Sequence, residues 1–258
     1  MVIVVCIKQV MSADSPVRVQ PGGTWIDEDL VDWEMNEPDA YALEAALRLK
    51  ETHGGEVVAV SAGPERAEKV IREALARGAD RGVLATGEHL NGADPAAVAR
   101  ALAQALRTEP ANLILTGLQS DDFGFAQVGV ILAGQLGLPH ATIVMQAECA
   151  DGHVRAKREL ENGWFQWVSM PMPAVLTIQS GINQLRYATL KGIMGAKKKT
   201  IRVVTVDPPV EPAGQRIVAM RIPTPSRGAR IFEGTPAEAA ETLVRTLRDE
   251  ARIPGPTA

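Results

Sequence analysis

Residues 2–7 read Val-Ile-Val-Val-Cys-Ile, and five of these six residues are β-branched. A continuous apolar run of this kind is typical of a strand that is buried on both faces of a parallel sheet, because a strand with one solvated face alternates apolar and polar residues. Further strands are expected at 56–61, 82–86 and 112–116, each followed by apolar residues at helical spacing. This alternation predicts an α/β fold with a doubly wound, mainly parallel sheet.

Capping residues mark the expected helix ends in the same region. Asn36 is placed to cap the first helix, which we expect to end at Gly54. Asp94 precedes a proline and is expected to cap the third helix. The fourth helix is expected from about Gly124 to Leu136.

The pattern changes after Pro139. Short strands separated by turn residues are expected at 140–146, 154–160, 165–170 and 174–179. Because Asn162-Gly163 is a favoured hairpin turn, these strands are predicted to be antiparallel additions to the sheet. Trp164 and Trp167 are expected to serve in packing.

The last quarter of the chain has a different character. We expect an α/β domain over residues 1–206 and a proline-rich arm over 207–258, with a short strand at 216–222 and a helix at 236–251. An arm of this length has too little core of its own. It is therefore predicted to lie against the main domain or against a partner subunit.

Composition narrows the class of protein. The 258 residues are 46% hydrophobic and 22% charged with a net charge of −4, which is typical of a globular protein and argues against a general nucleic-acid binder. The two cysteines, Cys6 and Cys149, predict neither a disulfide framework nor a metal site, and the four histidines show no metal-ligand spacing. This cysteine usage predicts a reduced, cytoplasmic setting. We also expect no membrane insertion and no targeting segment.

A nucleotide site is expected where strand 112–116 ends. The residues that follow it, Gly117-Leu118-Gln119-Ser120-Asp121-Asp122, let backbone N–H groups and side chains converge on a nucleotide. No lysine follows Gly124 and Gly129, and no G-x-G-x-x-G follows the first strand, so phosphate-loop and dinucleotide fingerprints are both missing. Asp121 and Asp122 equally suit helix capping, and no catalytic residue is assigned.

A polar segment, 183–199, reads NQLRYATLKGIMGAKKK and shows neither helical nor strand periodicity. It connects two expected strands and carries Gly192, Gly195 and three consecutive lysines. Long irregular loops are often functional, but a solvated basic connector accounts for this composition equally well.

The order of residues in 183–199 resembles the signature of the electron transfer flavoprotein β subunit, which commonly reads N-x-P-R-Y-A-T-L-P-x-I-M-x-A-K-K-K. Supporting matches at 4–10, 35–38, 60–64, 77–82 and 117–120 extend the resemblance over most of the chain. It implies an adenine-nucleotide-binding fold of the kind found in that family.

The resemblance further implies an electron carrier subunit rather than an enzyme. Its α subunit would carry the redox-active FAD, and the β subunit would hold AMP. Electrons would come from acyl-CoA dehydrogenases of fatty acid oxidation or from other flavin dehydrogenases, and would pass to a quinone reductase. Carried over by position, the AMP contacts are Cys6, Asn36, Asp39, Ala62, Gly117, Gln119, Asp122, Gln127, Val128 and Gly129.

By this resemblance, segment 183–199 corresponds to the recognition loop of the family. The residues expected to dock a dehydrogenase are Arg186, Tyr187, Leu190, Ile193 and Met194, with Leu190 as the anchor. Leu185 and Lys191 replace prolines that are common in the signature, which predicts a more mobile loop or a different partner.

Electron-bifurcating members of the family have small and polar residues where this chain has Phe123 and Phe125. These two bulky side chains favour AMP over a second FAD. Two alternatives stay open: an electron-bifurcating subunit with its own FAD, and a stand-alone adenine-nucleotide-binding regulatory protein.

Overall fold

The computed structural model describes residues 1–208, 214–223, 229–250 and 252. The chain divides into two compact units, Met1–Met220 and Arg221–Ala258. The strands are β1 Val2–Cys6, β2 Gln9–Met11, β3 Trp33–Met35, β4 Glu56–Ala62, β5 Arg81–Thr86, β6 Leu113–Gly117, β7 His140–Ala150, β8 His153–Glu159, β9 Phe165–Pro171, β10 Ala174–Ile178 and β11 Ile201–Thr205. The helices are α1 Glu37–His53, α2 Glu68–Arg77, α3 Pro95–Leu106, α4 Val128–Leu136, α5 Leu190–Ala196 and α6 Pro236–Asp249.

The main sheet has nine strands in the order β11-β5-β4-β1-β6-β10-β7-β8-β9, and β2 pairs with β3 in a separate ribbon. The strands from β11 to β7 are parallel, whereas β8 and β9 extend the sheet as antiparallel strands. The predicted doubly wound, mainly parallel sheet with antiparallel additions is therefore confirmed.

Strand β1 lies in the middle of the parallel region and is covered on both faces. Ile3 and Val5 belong to the core that α1 and α2 cover, while Val4 and Cys6 belong to the core that α3 and α4 cover. All four residues are buried. Two covered faces explain why this strand carries no polar residue.

Strand β10 departs from the expected topology. It was predicted to be an antiparallel addition, but it pairs in parallel with β6 on one side and with β7 on the other. All five of its residues are buried. A continuous buried run suits a strand that helices cover on both faces, so the chain returns from β9 into the parallel part of the sheet.

Helix α4 begins later than expected, at Val128 rather than at Gly124. Gly124 and Ala126 have φ values of 61° and 54°, and this left-handed backbone is incompatible with a continuous right-handed helix.

The expected tryptophan packing is also wrong, because both Trp164 and Trp167 are exposed.

The expectations for the arm are met in part. The strand predicted at 216–222 is absent from the described residues 214–223, and the predicted last helix is present as α6, which ends at Asp249. The predicted helix end at Ala251 lies outside the described residues, as do 209–213 and 224–228 of the arm. Packing of the arm on a partner stays a prediction.

No helix in the described ranges combines the length and apolarity needed to cross a membrane.

Candidate functional site

A cavity of about 670 Å³ opens at the carboxyl ends of the central parallel strands. Its lining includes Cys6 at the end of β1, Ala62 at the end of β4 and Gly117 at the end of β6. Strand β1 lies between β4 and β6, so the chain first adds strands on one side of β1 and later adds strands on the other side. Such a switch point is where open α/β sheets bind ligands.

The structure brings the expected nucleotide contacts together. Every one of the ten residues lines this cavity, namely Cys6, Asn36, Asp39, Ala62, Gly117, Gln119, Asp122, Gln127, Val128 and Gly129. They come from five separate stretches of the chain. That they contact AMP stays a prediction.

Asp39 in the first turn of α1 connects two strand ends. Its carboxylate accepts hydrogen bonds from the backbone N–H groups of Lys8 and Gly117, both at 2.8 Å. Burial raises the pKa of Asp39 to about 6, although these N–H groups and Asn36 favour the ionised form. Both carboxylate oxygens therefore have backbone partners within the chain.

Asn36 holds the loop after β6 instead of capping α1 with its side chain. The side-chain amide donates to the carbonyl oxygen of Gln119 at 3.0 Å and accepts from the backbone N–H of Asp121 at 2.9 Å. The N–H of Glu37, in the first turn of α1, donates instead to the Asp121 carboxylate at 3.0 Å. The cap of α1 is thus supplied by a residue 84 positions away, which no local sequence pattern predicts.

Asp122 also differs from its predicted alternative role as a cap of the next helix. Its carboxylate lies 2.6 Å from Nζ of Lys8 and accepts a hydrogen bond from the N–H of Phe123. Lys8 Nζ in turn lies 4.8 Å from the centre of the Phe123 ring. The pair therefore joins the chain just after β1 to the loop that follows β6.

The N-terminus of α4 lies at the cavity without a side-chain cap. Gln127 occupies the capping position but makes no capping hydrogen bond, and the first turn contains no acidic residue. A Cβ atom on Gly129 would lie 2.6 Å from Oγ1 of Thr116 and 2.7 Å from Cγ2 of Thr177. Glycine at this position thus lets the start of α4 lie close to β6 and β10. The free backbone N–H groups in the first turn of α4 suit binding of an anion.

Aromatic side chains line the opening of the cavity. Phe123 and Phe125 stack with their centroids 5.6 Å apart, and Trp25 lies 6.2 Å from Phe123. Trp33 stacks under the guanidinium of Arg66 at 3.6 Å. The tryptophans were not predicted, because they come from the connection between β1 and α1, which the sequence marks only as a loop or hairpin.

Arg66, another charged side chain of the cavity lining, is paired, and the thiol of Cys6 is neutral. Arg66 binds Glu28 at 2.9 Å and donates to Gln9 at 2.7 Å. Burial, with a smaller effect from Asp39, raises the pKa of Cys6 to about 12. Cys6 therefore offers a neutral surface rather than a reactive thiolate.

The recognition loop contains a helix that the sequence did not predict. Thr189 caps α5 by accepting a hydrogen bond from the N–H of Gly192 at 3.0 Å. A Cβ atom on Gly192 would lie 2.3 Å from the carbonyl oxygen of Ala76, so α5 packs directly on the backbone of α2. Two glycines in seven residues hide this helix from a periodicity analysis.

The five expected docking residues separate into two groups. Tyr187, Leu190 and Met194 are 90%, 76% and 64% exposed, and Ile193 is also exposed. Arg186 instead turns inward and pairs with Glu44 of α1 at 2.7 Å. Burial opposes ionisation of Glu44, but hydrogen bonds from Arg186 and Arg48 outweigh it and lower the pKa of this carboxyl.

Comparison with known proteins identifies the family of this chain. A family model described as "Electron transfer flavoprotein domain" matches residues 23–209. "Electron transfer flavoprotein subunit beta" of Methylophilus methylotrophus is 35% identical, over 96% of this chain and 98% of the relative. The proteins of the same name from Sus scrofa and Homo sapiens are 37% and 36% identical, over 96% and 97% of this chain and 97% and 98% of theirs. The chain belongs to the family of electron transfer flavoprotein β subunits.

Proposed function

We propose that this chain forms a heterodimer with an electron transfer flavoprotein α subunit, holds AMP as a structural group, and docks flavin dehydrogenases. Electrons then pass between the flavin of the dehydrogenase and the FAD of the α subunit, which this chain helps to hold. The flavins supply the redox chemistry, so this chain contributes binding and orientation. The observation that carries the proposal is the convergence of ten expected contacts on one cavity.

The cavity has the features that a nucleoside monophosphate requires. The uncapped start of α4 offers N–H groups to the phosphate, and Gln119 and Gln127 offer side-chain hydrogen bonds beside it. Its volume of about 670 Å³ is within the range of ligand pockets and does not by itself select between AMP and FAD. The stacked rings of Phe123 and Phe125 at the opening favour the smaller ligand.

Mass spectrometry of released nucleotide tests this assignment. The chain is purified with and without its α subunit and then denatured. We expect AMP from the chain in both preparations and about one FAD per heterodimer. FAD released by the chain alone would support an electron-bifurcating subunit instead, and an isolated chain that never binds an α subunit would support the regulatory alternative.

The exposed side chains of the recognition loop support docking. Tyr187, Leu190 and Met194 present apolar and aromatic surface to solvent although the loop backbone packs on α2. A few anchor residues carry most of the binding energy in protein interfaces, and tyrosine is among the residue types enriched at such positions. A small contact suits a carrier that must dissociate after each transfer.

The docking claim is tested with Leu190→Ala in the complete heterodimer. We expect slower electron transfer from an acyl-CoA dehydrogenase with no loss of AMP or FAD. Val203→Ala is the control, because Val203 is another exposed aliphatic residue but belongs to edge strand β11. Equal transfer rates in the wild-type and Leu190→Ala complexes would remove Leu190 as the anchor.

An exposed aromatic patch on the β8–β9 hairpin supports binding of a partner chain. Trp164 is 73% exposed, and Leu160, Phe165 and Trp167 beside it are also exposed. Large apolar side chains that are exposed close together in the chain favour an interaction surface in soluble proteins. We expect acrylamide to quench Trp164 emission less after the α subunit is added, with a Trp164→Phe variant identifying the signal. Unchanged quenching would place the α subunit elsewhere.

A further inference from the structure

Arg186 fixes the first part of the recognition loop to α1. Nε of Arg186 lies 2.7 Å and Nη2 lies 3.1 Å from the two carboxylate oxygens of Glu44, and the backbone N–H of Arg186 donates to the same group at 3.3 Å. Glu44 is only 3% exposed. A buried carboxylate is stable only with such partners, so this contact is strongly favoured over a released loop.

Glu44 is the inner member of a larger cluster. Arg48 binds its other side at 2.7 Å and donates to the carbonyl oxygen of Gln184 at 3.0 Å. Glu51 binds the outer edge of Arg186 at 2.6 Å but is itself exposed. Glu44 therefore holds the loop through both arginines, whereas Glu51 adds a solvated ion pair of smaller value.

The far end of the loop is held by α2. The guanidinium of Arg72 donates to the carbonyl oxygens of Ala196 and Lys199, at 3.0 and 2.8 Å. Nζ of Lys199 donates to the carbonyl oxygens of Leu75 and Ala79, so this lysine is not a solvated charge. Both ends of the segment are thus fixed, while the exposed side chains lie between them.

We propose that Glu44 is a positioning residue for partner docking. This role of Glu44 rests on the docking function proposed above. Its carboxylate does not contact the partner but orients Arg186, and through it fixes how Tyr187 and Leu190 project from the surface. A loop that is already ordered loses less conformational entropy on binding, which favours fast association.

The experiment compares Glu44→Gln with Glu51→Gln in the α/β complex. Glutamine keeps the size of the side chain but removes the charge that Arg186 requires. For Glu44→Gln we expect trypsin to cleave after Arg186 about tenfold faster, because release of the side chain exposes the bond. We also expect the apparent KM for the complex, with an acyl-CoA dehydrogenase as donor, to rise about three- to tenfold at an unchanged saturating rate.

The matched variant Glu51→Gln is expected to change both quantities less than twofold, since the pair it removes is solvated. Unchanged cleavage or an unchanged KM in Glu44→Gln overturns the proposal. Arg186→Lys provides a second test if Glu44→Gln does not fold, because lysine keeps the charge but loses the two-pronged contact. Leu190→Ala distinguishes failure of the positioning proposal from failure of the docking proposal. If Leu190→Ala slows electron transfer while Glu44→Gln does not, Glu44 is not a positioning residue but the docking proposal is retained. If neither variant slows transfer, docking itself fails.

Discussion

The Oδ1 atom of Asp39 lies 2.8 Å from the backbone nitrogen of Gly117, and a Cβ atom at position 117 would lie 2.5 Å from that same oxygen. The close approach therefore requires glycine. Because Oδ2 of Asp39 accepts from Lys8 as well, one carboxylate joins the ends of β1 and β6 to the start of α1. The floor of the cavity depends on this connection.

Asp39→Asn is expected to destabilise the protein and to release nucleotide. The amide keeps one acceptor oxygen but turns a donor toward one of the two backbone N–H groups. A buried N–H without a partner costs about 1–3 kcal/mol. Urea unfolding and nucleotide content measure the two effects, with exposed Asp14→Asn as the control. Wild-type stability in Asp39→Asn would mean that the two hydrogen bonds contribute little.

The pH dependence of stability gives a second test at the same residue. Burial raises the pKa of Asp39 from 3.8 to about 6, so the folded state binds a proton more readily than the unfolded state between these values. The contribution of Asp39 to stability is therefore largest below pH 4, falls as the pH rises toward 6 and is constant above it. The difference in unfolding free energy between wild type and Asp39→Asn should fall by about 3 kcal/mol over this range. Parallel profiles, or a difference that increases with pH, would contradict the raised pKa.

Helix α4 offers a matched pair of glycines for testing the cavity wall. Gly129→Ala would place a methyl group against Thr116 and Thr177, whereas nothing lies within 4 Å of a Cβ atom on Gly134. Overpacking of this kind costs about 1–3 kcal/mol, and a shifted helix start would also weaken nucleotide binding. Gly134→Ala is expected to raise stability by up to about 1 kcal/mol. Similar retention of nucleotide by the two variants would mean that α4 does not border the binding site.

Local chemistry was enough to predict much of the parallel sheet. The all-apolar run of β1 is explained by helices on both faces, and the buried residues Val70, Ile71, Ala74 and Leu75 of α2 follow the helical spacing of the sequence. Asp94 caps α3 as expected, because its carboxylate accepts from the nearby N–H of Ala97. Each of these features depends on residues close together in the chain.

Features that depend on distant residues were not predictable in this way. Asn36 has the composition of a cap, but tertiary contacts direct its side chain to the loop after β6. The parallel pairing of β10 depends on where the chain re-enters the sheet after the β8–β9 hairpin. The apolar run of β10 predicts burial but does not distinguish parallel from antiparallel pairing. Arg186 and Glu44 are 142 positions apart, so the fixing of the recognition loop becomes visible only in the fold.

The recognition loop contains the second matched pair, Gly192 and Gly195. A Cβ atom at position 192 would lie 2.3 Å from the carbonyl oxygen of Ala76, but one at position 195 would meet no atom within 4 Å. Gly192→Ala should therefore force α5 away from α2, at a cost of about 1–3 kcal/mol, while Gly195→Ala should support the helix. We expect faster amide exchange over 189–196 and slower electron transfer in Gly192→Ala only. Because backbone cannot move aside as a flexible side chain can, equal exchange in the two variants would show that α5 does not pack on α2 in solution.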